Sequence, residues 1–487
     1  MIDLHFFLFL SLTIKMLLSL SLSLLLLLHH STTASGNTTS DHDYLKLQLI
    51  HIKPFKTPSQ ILLFDTHRIL SLHHRQHHHH HHTNHNHFVK SPLISGASIG
   101  SGQYFAGISI GTPPQNLMLV ADTGSDLTWI KCSACRGPNC TTTHPPNSAF
   151  FPRHSLSFRP THCYAPACQL VPHSPDSAHC TRPHTRLHSS CLYDYSYADG
   201  STTSGIFSRE TTSFNSTSGK LIHVPNLSFG CGFHASGPAV SDTGFDGATG
   251  VMGLGRGPIS FAAQLGRRFG NKFSYCLQDY TFSPPPISYL MIGGGHDVVL
   301  KKEKGKGYHP VRSTPLIQSK PSPTFYYISI QTVIIDGVKL PINPSVWALD
   351  NLGNGGTVID SGTTLTFVPE AAYREILTVM RKRVKLPQLG ELTQQFDLCV
   401  NTSGVNRPSL PRMSFILGGD SVFNPPPRNY FIDVAEDVKC LALQTVISPS
   451  GFSVIGNLMQ QGFLFEFDND GSRLLFSRNG CSGGPHP

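Results

Sequence analysis

Two short stretches of this chain set an aspartate, a glycine and a hydroxyl at the same spacing. Asp122-Thr-Gly-Ser125 closes the apolar run LMLVA, and Asp360-Ser-Gly-Thr363 closes the run TVI. The chemistry open to such a stretch is acid–base. An aspartate that ends a buried strand projects its carboxylate from a fixed position, and the glycine, Gly124 or Gly362, makes a tight turn whose N–H faces it. The hydroxyl three residues on, Ser125 or Thr363, donates to the outer oxygen. One Asp-x-Gly alone is an ordinary β-turn. Two brought face to face are different, because carboxylates that close cannot both ionise. Asp122 and Asp360 would then share one proton and hold a water between them, one acting as base and the other as acid. Such a pair works without metal, cofactor or covalent intermediate.

The positioning elements are strands, and they come twice. Each turn is followed later by two apolar residues and a glycine: Val251-Met252-Gly253 ends 131 residues after Asp122, and Val454-Ile455-Gly456 ends 96 after Asp360. The Cys-, Pro- and His-rich stretch between Cys132 and Cys191 absorbs the difference, so the halves read as diverged copies with an insertion in the first. QYFAGISIG alternates like a half-buried strand before the TPPQ turn. LYDYSYADGSTTSG reads as an exposed hairpin turning at Asp199-Gly200, with Tyr197 near its tip. A hairpin with small residues on its return opens at little cost, and its tyrosine can shut water out; the alternative is an edge hairpin whose tyrosine simply packs.

Composition supports strands. Charged residues make up only 14% of the 487, against 43 glycines and 36 prolines, which argues against coiled coils and helical bundles. An all-β class remains, with length for more than one domain. The net charge of +8 is dispersed, and KKEKGK at 301–306 is the longest charge run, so nucleic-acid binding is excluded as a function class.

Four regions follow: 1–34 a signal peptide, 35–95 a removable pro-segment, 96–305 a first lobe with the Cys-rich insertion, and 306–487 a second lobe. In the first, Lys15 precedes an apolar core, Met16 to Leu28, and small residues follow. Read instead as a membrane anchor, it would hold Lys15 mid-bilayer at roughly 2.5–3.5 kcal/mol. No stable membrane insertion is therefore expected after cleavage. In the pro-segment, apolar pattern is confined to Tyr44–Ile52 and Ile61–Leu72. Ten histidines between His73 and His87 make a run that cannot form a core. It would bind zinc or nickel weakly, or gain charge on acidification and repel a basic mature surface, or serve as a solvated spacer. Twelve cysteines in an exported chain imply six disulfides, although Cys132-Ser-Ala-Cys135 alone has metal-ligand spacing. Sequons at Asn37, Asn139, Asn215, Asn226 and Asn401 suit a secreted glycoprotein.

Taken together, QYFAGISIGTPPQ, ADTGSDLTWIKC, YSYADGSTTSG, GVMGLGRGPIS, TVIDSGTTLTFVP and VIGNLMQQGFLFEFDNDGSRLLFS resemble the pepsin-like aspartic proteases. Within them they resemble the plant nepenthesin-type branch, over roughly residues 100–481. The resemblance implies an all-β, bilobal fold of two pseudo-symmetric lobes with a cleft between them. It implies that Asp122 and Asp360 are catalytic, that Tyr197, Asp199 and Gly200 belong to a substrate-binding flap, and that Trp129 partners that tyrosine. This chain carries Ala198 where the family commonly has glycine. Cys399 is expected to pair with Cys440, the resemblance pairs Cys276 with Cys481, and the other eight cysteines pair within the first lobe. Only 127 residues follow Asp360, which leaves no room for the saposin-like insert of typical plant vacuolar enzymes. The implied activity is endopeptidase action on polypeptides at acidic pH by a monomer needing no cofactor. Its expected location is the extracellular space or cell wall, with the vacuole as the other compartment. The rival is a catalytically silent pepsin fold that binds or inhibits, as in plant xylanase inhibitors; such relatives typically lose an aspartate, and both stand here.

Overall fold

A computed structural model of the chain describes residues 45–50, 61–63, 65–66, 68–70, 103–134, 148–173, 189–196, 201–215, 221–236, 248–279, 288–293, 310–390, 396–446, 448 and 451–478. The signal peptide, the histidine run, Asn37, Asn139, Tyr197, Asp199, Gly200 and Cys481 lie outside these residues.

Short alternating strands bounded by Gly, Pro and Asn turns dominate, as the composition requires. The two halves repeat one motif. Val120 to Asp122 pairs in parallel with Val251 to Gly253, and Trp129 pairs antiparallel with Val251. In the second half Thr357–Ile359 pairs in parallel with Ser453–Ile455, and Phe367 pairs antiparallel with Val454. Even the closing bonds match: Gly253 N donates to Thr128 Oγ1 and Gly456 N to Thr366 Oγ1, each at 3.2 Å. Each half is β-structure built around this motif, the bilobal all-β plan expected.

Among the described residues a sheet of 14 strands joins the halves. Phe463–Asp468 and Arg473–Arg478, from the end of the chain, enter it beside Lys272–Cys276 of the first half. The first patterned run of the 35–95 segment is also part of it: Leu45–Ile50 sits between Ser288–Ile292 and Phe105–Ile110. Its period-two pattern buries Leu45, Leu47 and Leu49 in the main core. Each contributes about 1.5–3 kcal/mol of apolar burial. The second patterned run, at 61–63, 65–66 and 68–70, is helical. Ile61, Asp65, Arg68 and Ile69 fall at helical spacings on one face. That face is buried, with Ile61 and Ile69 joining Phe325, Tyr327, Phe452 and Leu458 of the second half.

Disulfides staple the loops. Cys399 joins Cys440 across paired strands of the second half, and Cys132–Cys231 and Cys168–Cys191 join within the first. Cys276 is also oxidised. Asn215 and Asn226 are exposed, and Asn401 is half-buried.

Candidate active site

Asp122 ends its strand and Asp360 follows Thr357–Ile359, both buried where the two repeated motifs meet. The turn chemistry expected from the spacing is present in both copies. Gly124 N donates to Asp122 Oδ1 at 2.9 Å and Ser125 Oγ to Oδ2 at 2.6 Å. Gly362 N donates to Asp360 Oδ1 at 2.9 Å and Thr363 Oγ1 to Oδ2 at 2.5 Å. The glycines serve a second purpose beyond the turn. A Cβ on Gly124 would stand 3.0 Å from Asp360 Oδ1, and one on Gly362 would stand 2.5 Å from Asp122 Oδ1. Only a bare backbone lets each carboxylate approach the opposite loop this closely.

The residues between Asp and Gly lock the loops to each other. Ser361 N donates to Thr123 Oγ1 at 2.9 Å and Thr123 N donates to Ser361 Oγ at 3.1 Å. The hydroxyls pass the connection on: Thr123 Oγ1 donates to Ile359 O and Ser361 Oγ to Ala121 O. The spacing of Asp, Gly and Ser/Thr does not point to Thr123 and Ser361; a hydroxyl residue at that position in both copies is the signal for them. From the sheet side, Gln460 Nε2 donates to the backbone oxygens of Asp360 and Ile455, and its Oε1 receives the Tyr275 hydroxyl. Burial, with the Asp360 charge added, pushes the Tyr275 phenol far above its ordinary range, so it stays a neutral donor.

One cation meets both carboxylates, and it comes from the helical run at 61–70. Arg68 Nη2 lies 2.6 Å from Asp122 Oδ1 and 2.9 Å from Asp360 Oδ2. Its Nε reaches Asp360 Oδ2 at 3.0 Å and Thr363 Oγ1 at 2.9 Å. The Arg68 side chain is 11% exposed. Burial disfavours its charge, but the two carboxylates outweigh burial and raise its pKa further. Burial likewise pushes Asp122 up, yet Arg68, the Ser125 hydroxyl and the Gly124 N–H together hold it below the usual carboxylate range. Nothing in the 61–72 pattern alone pointed to Arg68; its partners are 54 and 292 residues away.

Trp129 is fully buried on its strand. The tyrosine expected to meet it, Tyr197, falls outside the described residues; Tyr193, on the strand Leu192–Ser196, is buried and bonds Thr203 Oγ1 at 3.0 Å. Among the described residues the one cluster with metal-ligand spacing is Cys168, His173 and Cys191. Its sulfurs are joined to each other, and both His173 ring nitrogens engage carbonyl oxygens, of Leu192 and Cys168. No ligand atom there is left for an ion.

Comparison with known proteins matches both halves. The xylanase inhibitor N-terminal family model covers residues 104–294, and the xylanase inhibitor C-terminal model covers 325–478. The chain is 36% identical over 395 residues to Aspartyl protease family protein 2 of Arabidopsis thaliana, spanning 80% of this chain and 74% of that protein. It is 35% identical over 386 residues to aspartic proteinase nepenthesin-1 of Nepenthes gracilis, spanning 78% and 79%. Among solved structures, EDGP superposes with a TM-score of 0.61 at 20% identity, over 77% of this chain and 92% of that one. Conglutin gamma, a basic 7S globulin from lupine seeds, does so at 0.61 and 18%, over 90% and 95%. At that identity the two structures share the fold.

Proposed function

Because the chain belongs to the pepsin-like aspartic proteases, in their plant nepenthesin-type branch, we propose that it is an endopeptidase whose dyad is Asp122 and Asp360. The aspartic-protease dyad is itself the standard example of two carboxylates sharing one proton. One carboxylate takes a proton from the water between them as that water attacks the peptide carbonyl. The other gives its proton to the carbonyl oxygen, and the amine leaves with a proton returned from the pair. The reciprocal Thr123–Ser361 bonds hold the carboxylates in register for this exchange, and Ser125 and Thr363 fix their outer oxygens. The observation that carries this reading is the pair of intact, mutually bonded Asp-x-Gly loops whose carboxylates meet at one point.

The folded chain described above is the latent precursor. Arg68 occupies the place where water and carbonyl must sit, bonded to both carboxylates at once. Removal of the segment that bears it frees the dyad. The residue assignments for flap, glycans and Cys276–Cys481, the boundaries of the four regions, and a monomeric, exported state in the extracellular space, cell wall or vacuole belong to this same reading. Among the described residues no helix is long and apolar enough to cross a membrane. The test is cleavage of a denatured protein at acid pH by the acidified chain, blocked by pepstatin. A folded, processed chain that cleaves nothing would instead be a silent binding protein of the same fold.

A further inference from the structure

Away from the dyad, one side chain makes contacts that only its charged form satisfies. His173 follows the turn Pro166–Leu170 of the Cys-rich insertion. Its Nδ1 lies 2.8 Å from the Leu192 carbonyl oxygen, and its Nε2 lies 2.7 Å from that of Cys168. A carbonyl oxygen only accepts, and a neutral imidazole carries one N–H and one lone pair. The neutral ring therefore serves one of these oxygens and sets a lone pair against the other. The imidazolium donates to both. We propose that His173 is a positioning residue for the flap, fastening the strand Leu192–Ser196 to the insertion while its ring is protonated and loosening it when the proton leaves.

The inference rests on the peptidase reading above and adds to it a pH control on closure over substrate. Leu192–Ser196 pairs along one edge with residues 202–206, and the sequence between the two strands holds Tyr197, Asp199 and Gly200. The inner face of the strand is fixed by Tyr193, which is buried and bonds Thr203 Oγ1. Its ring lies so close over Gly230 that a Cβ there would stand 2.7 Å away. The outer edge is held by the insertion. Phe207 N donates to Cys191 O on the paired edge, so the next carbonyl, that of Leu192, faces the other way and meets His173. Two residues on, Asp194 N donates to Pro172 O at 3.0 Å. The Cys168–Cys191 disulfide ties the same turn to the residue before the strand. Of these fastenings, the imidazole is the one that carries a titrating group.

Its charge change falls in the range that matters to an acid enzyme. Imidazoles titrate between about pH 5 and pH 8. Below that range the strand is held at both edges, in the acid where the dyad works. Above it, one bond to the insertion becomes a repulsion. Among the described residues, the charged or titrating groups on the elements packed against the ring are Asp194 on the strand and His162 and Tyr164 on the chain entering the turn. Asp194, the one acid among them, has the sign that favours the cation. His162 accepts from Tyr164 N at Nδ1, and the two rings stack with centroids 5.6 Å apart. Cys168 and Cys191 are bonded to each other and do not titrate.

The experiment reads amide exchange of the full-length chain between pH 5 and pH 8, which requires no peptidase activity. After division by the intrinsic rate, protection of the Asp194 amide should fall about tenfold across that range, the effect of one lost hydrogen bond. The amides of Phe273 and Tyr275, in the sheet that joins the halves, should stay level. His173→Gln, which has no titrating group, should show the lower protection throughout and no fall; a fall as large as the native one overturns the proposal. A second measurement uses the native chain alone. At pH 5 nitrogen-edited NMR should find both ring N–H protons of His173 shielded from exchange with water, and a ring N–H that exchanges as freely as that of an exposed histidine overturns it. In the processed enzyme, KM for a peptide should rise from pH 5 to pH 7 more steeply in the native protein than in His173→Gln, with kcat following one curve in both. Parallel KM curves overturn the positioning role. If no peptide is cleaved, the peptidase reading fails, and the fastening is judged by exchange and NMR alone.

Discussion

Replacing Arg68 by glutamine should turn the latent chain into one that unmasks itself near neutral pH. In the native chain the guanidinium, on a side chain only 11% exposed, lies 2.6 Å from Asp122 and 2.9 Å from Asp360. Removing one partner from a buried ion pair costs about 3–5 kcal/mol, because the charge left behind is uncompensated. A glutamine amide still donates to one carboxylate, so the lower end applies. About 3 kcal/mol corresponds to roughly a hundredfold shift toward the unseated pro-segment. The pH dependence has a definite sign. Although burial opposes ionisation of Asp122, Arg68, Ser125 and Gly124 depress it below the ordinary range. A depressed carboxylate stabilises the latent state above its free pKa, and that contribution is lost as pH falls through the depressed value. The native chain should thus stay latent until the medium is distinctly acidic, whereas Arg68→Gln should convert at least one pH unit higher. Arg68→Lys, which keeps the charge but loses the fork, should fall between. The assay is fluorogenic-peptide cleavage by the purified full-length chain, with electrophoresis of the same samples, from pH 7 to pH 3. An Arg68→Gln chain as latent as the native one at every pH would refute the reasoning.

Asp65 acts in the opposite direction. Burial raises its pKa to about 7, which gives stability that is complete below the free value and is lost as pH rises through 7. Hydrogen exchange across residues 61–70 should therefore slow between pH 7 and pH 5 relative to the intrinsic rate, and Asp65→Asn should abolish that slowing. Thr123→Val and Ser361→Ala each leave a buried backbone N–H without its acceptor, at about 1–3 kcal/mol, and should lower kcat more than they raise KM. A double-mutant cycle should show that their effects are not additive. Replacing Cys399 and Cys440 by serine opens a link of sequence separation 41, and should lower the unfolding free energy of the second half by roughly 3–4 kcal/mol in denaturant titrations.

What the sequence made legible was whatever is local or duplicated. The Asp-x-Gly-Ser/Thr spacing gave the carboxylates, their N–H donors and their hydroxyls, because all these bonds span two or three residues. The second copy supplied the face-to-face arrangement. Contacts made across the fold were hidden. Thr123 and Ser361 bond over 238 residues, and Gln460 reaches Asp360 over 100. The contacts of the 35–95 segment were hidden in the same way. Its alternation at 45–50 is visible, but the strands it pairs with are not. In the fold, Leu45, Leu47 and Leu49 occupy the sheet that joins the halves, with partners in Ser288–Ile292 far along the chain. Arg68 looked like one cation among many, since its meaning lies in the two carboxylates it meets.

The most direct test of the central claim is the peptidase activity of the acid-processed Asp122→Asn and Asp360→Asn proteins, each beside the native chain and each checked for native folding. Either change removes one member of a coupled acid–base pair, so each alone should abolish pepstatin-sensitive turnover, and the double variant should be no worse than the singles. Retention of most of the native turnover by either folded single variant would contradict the dyad.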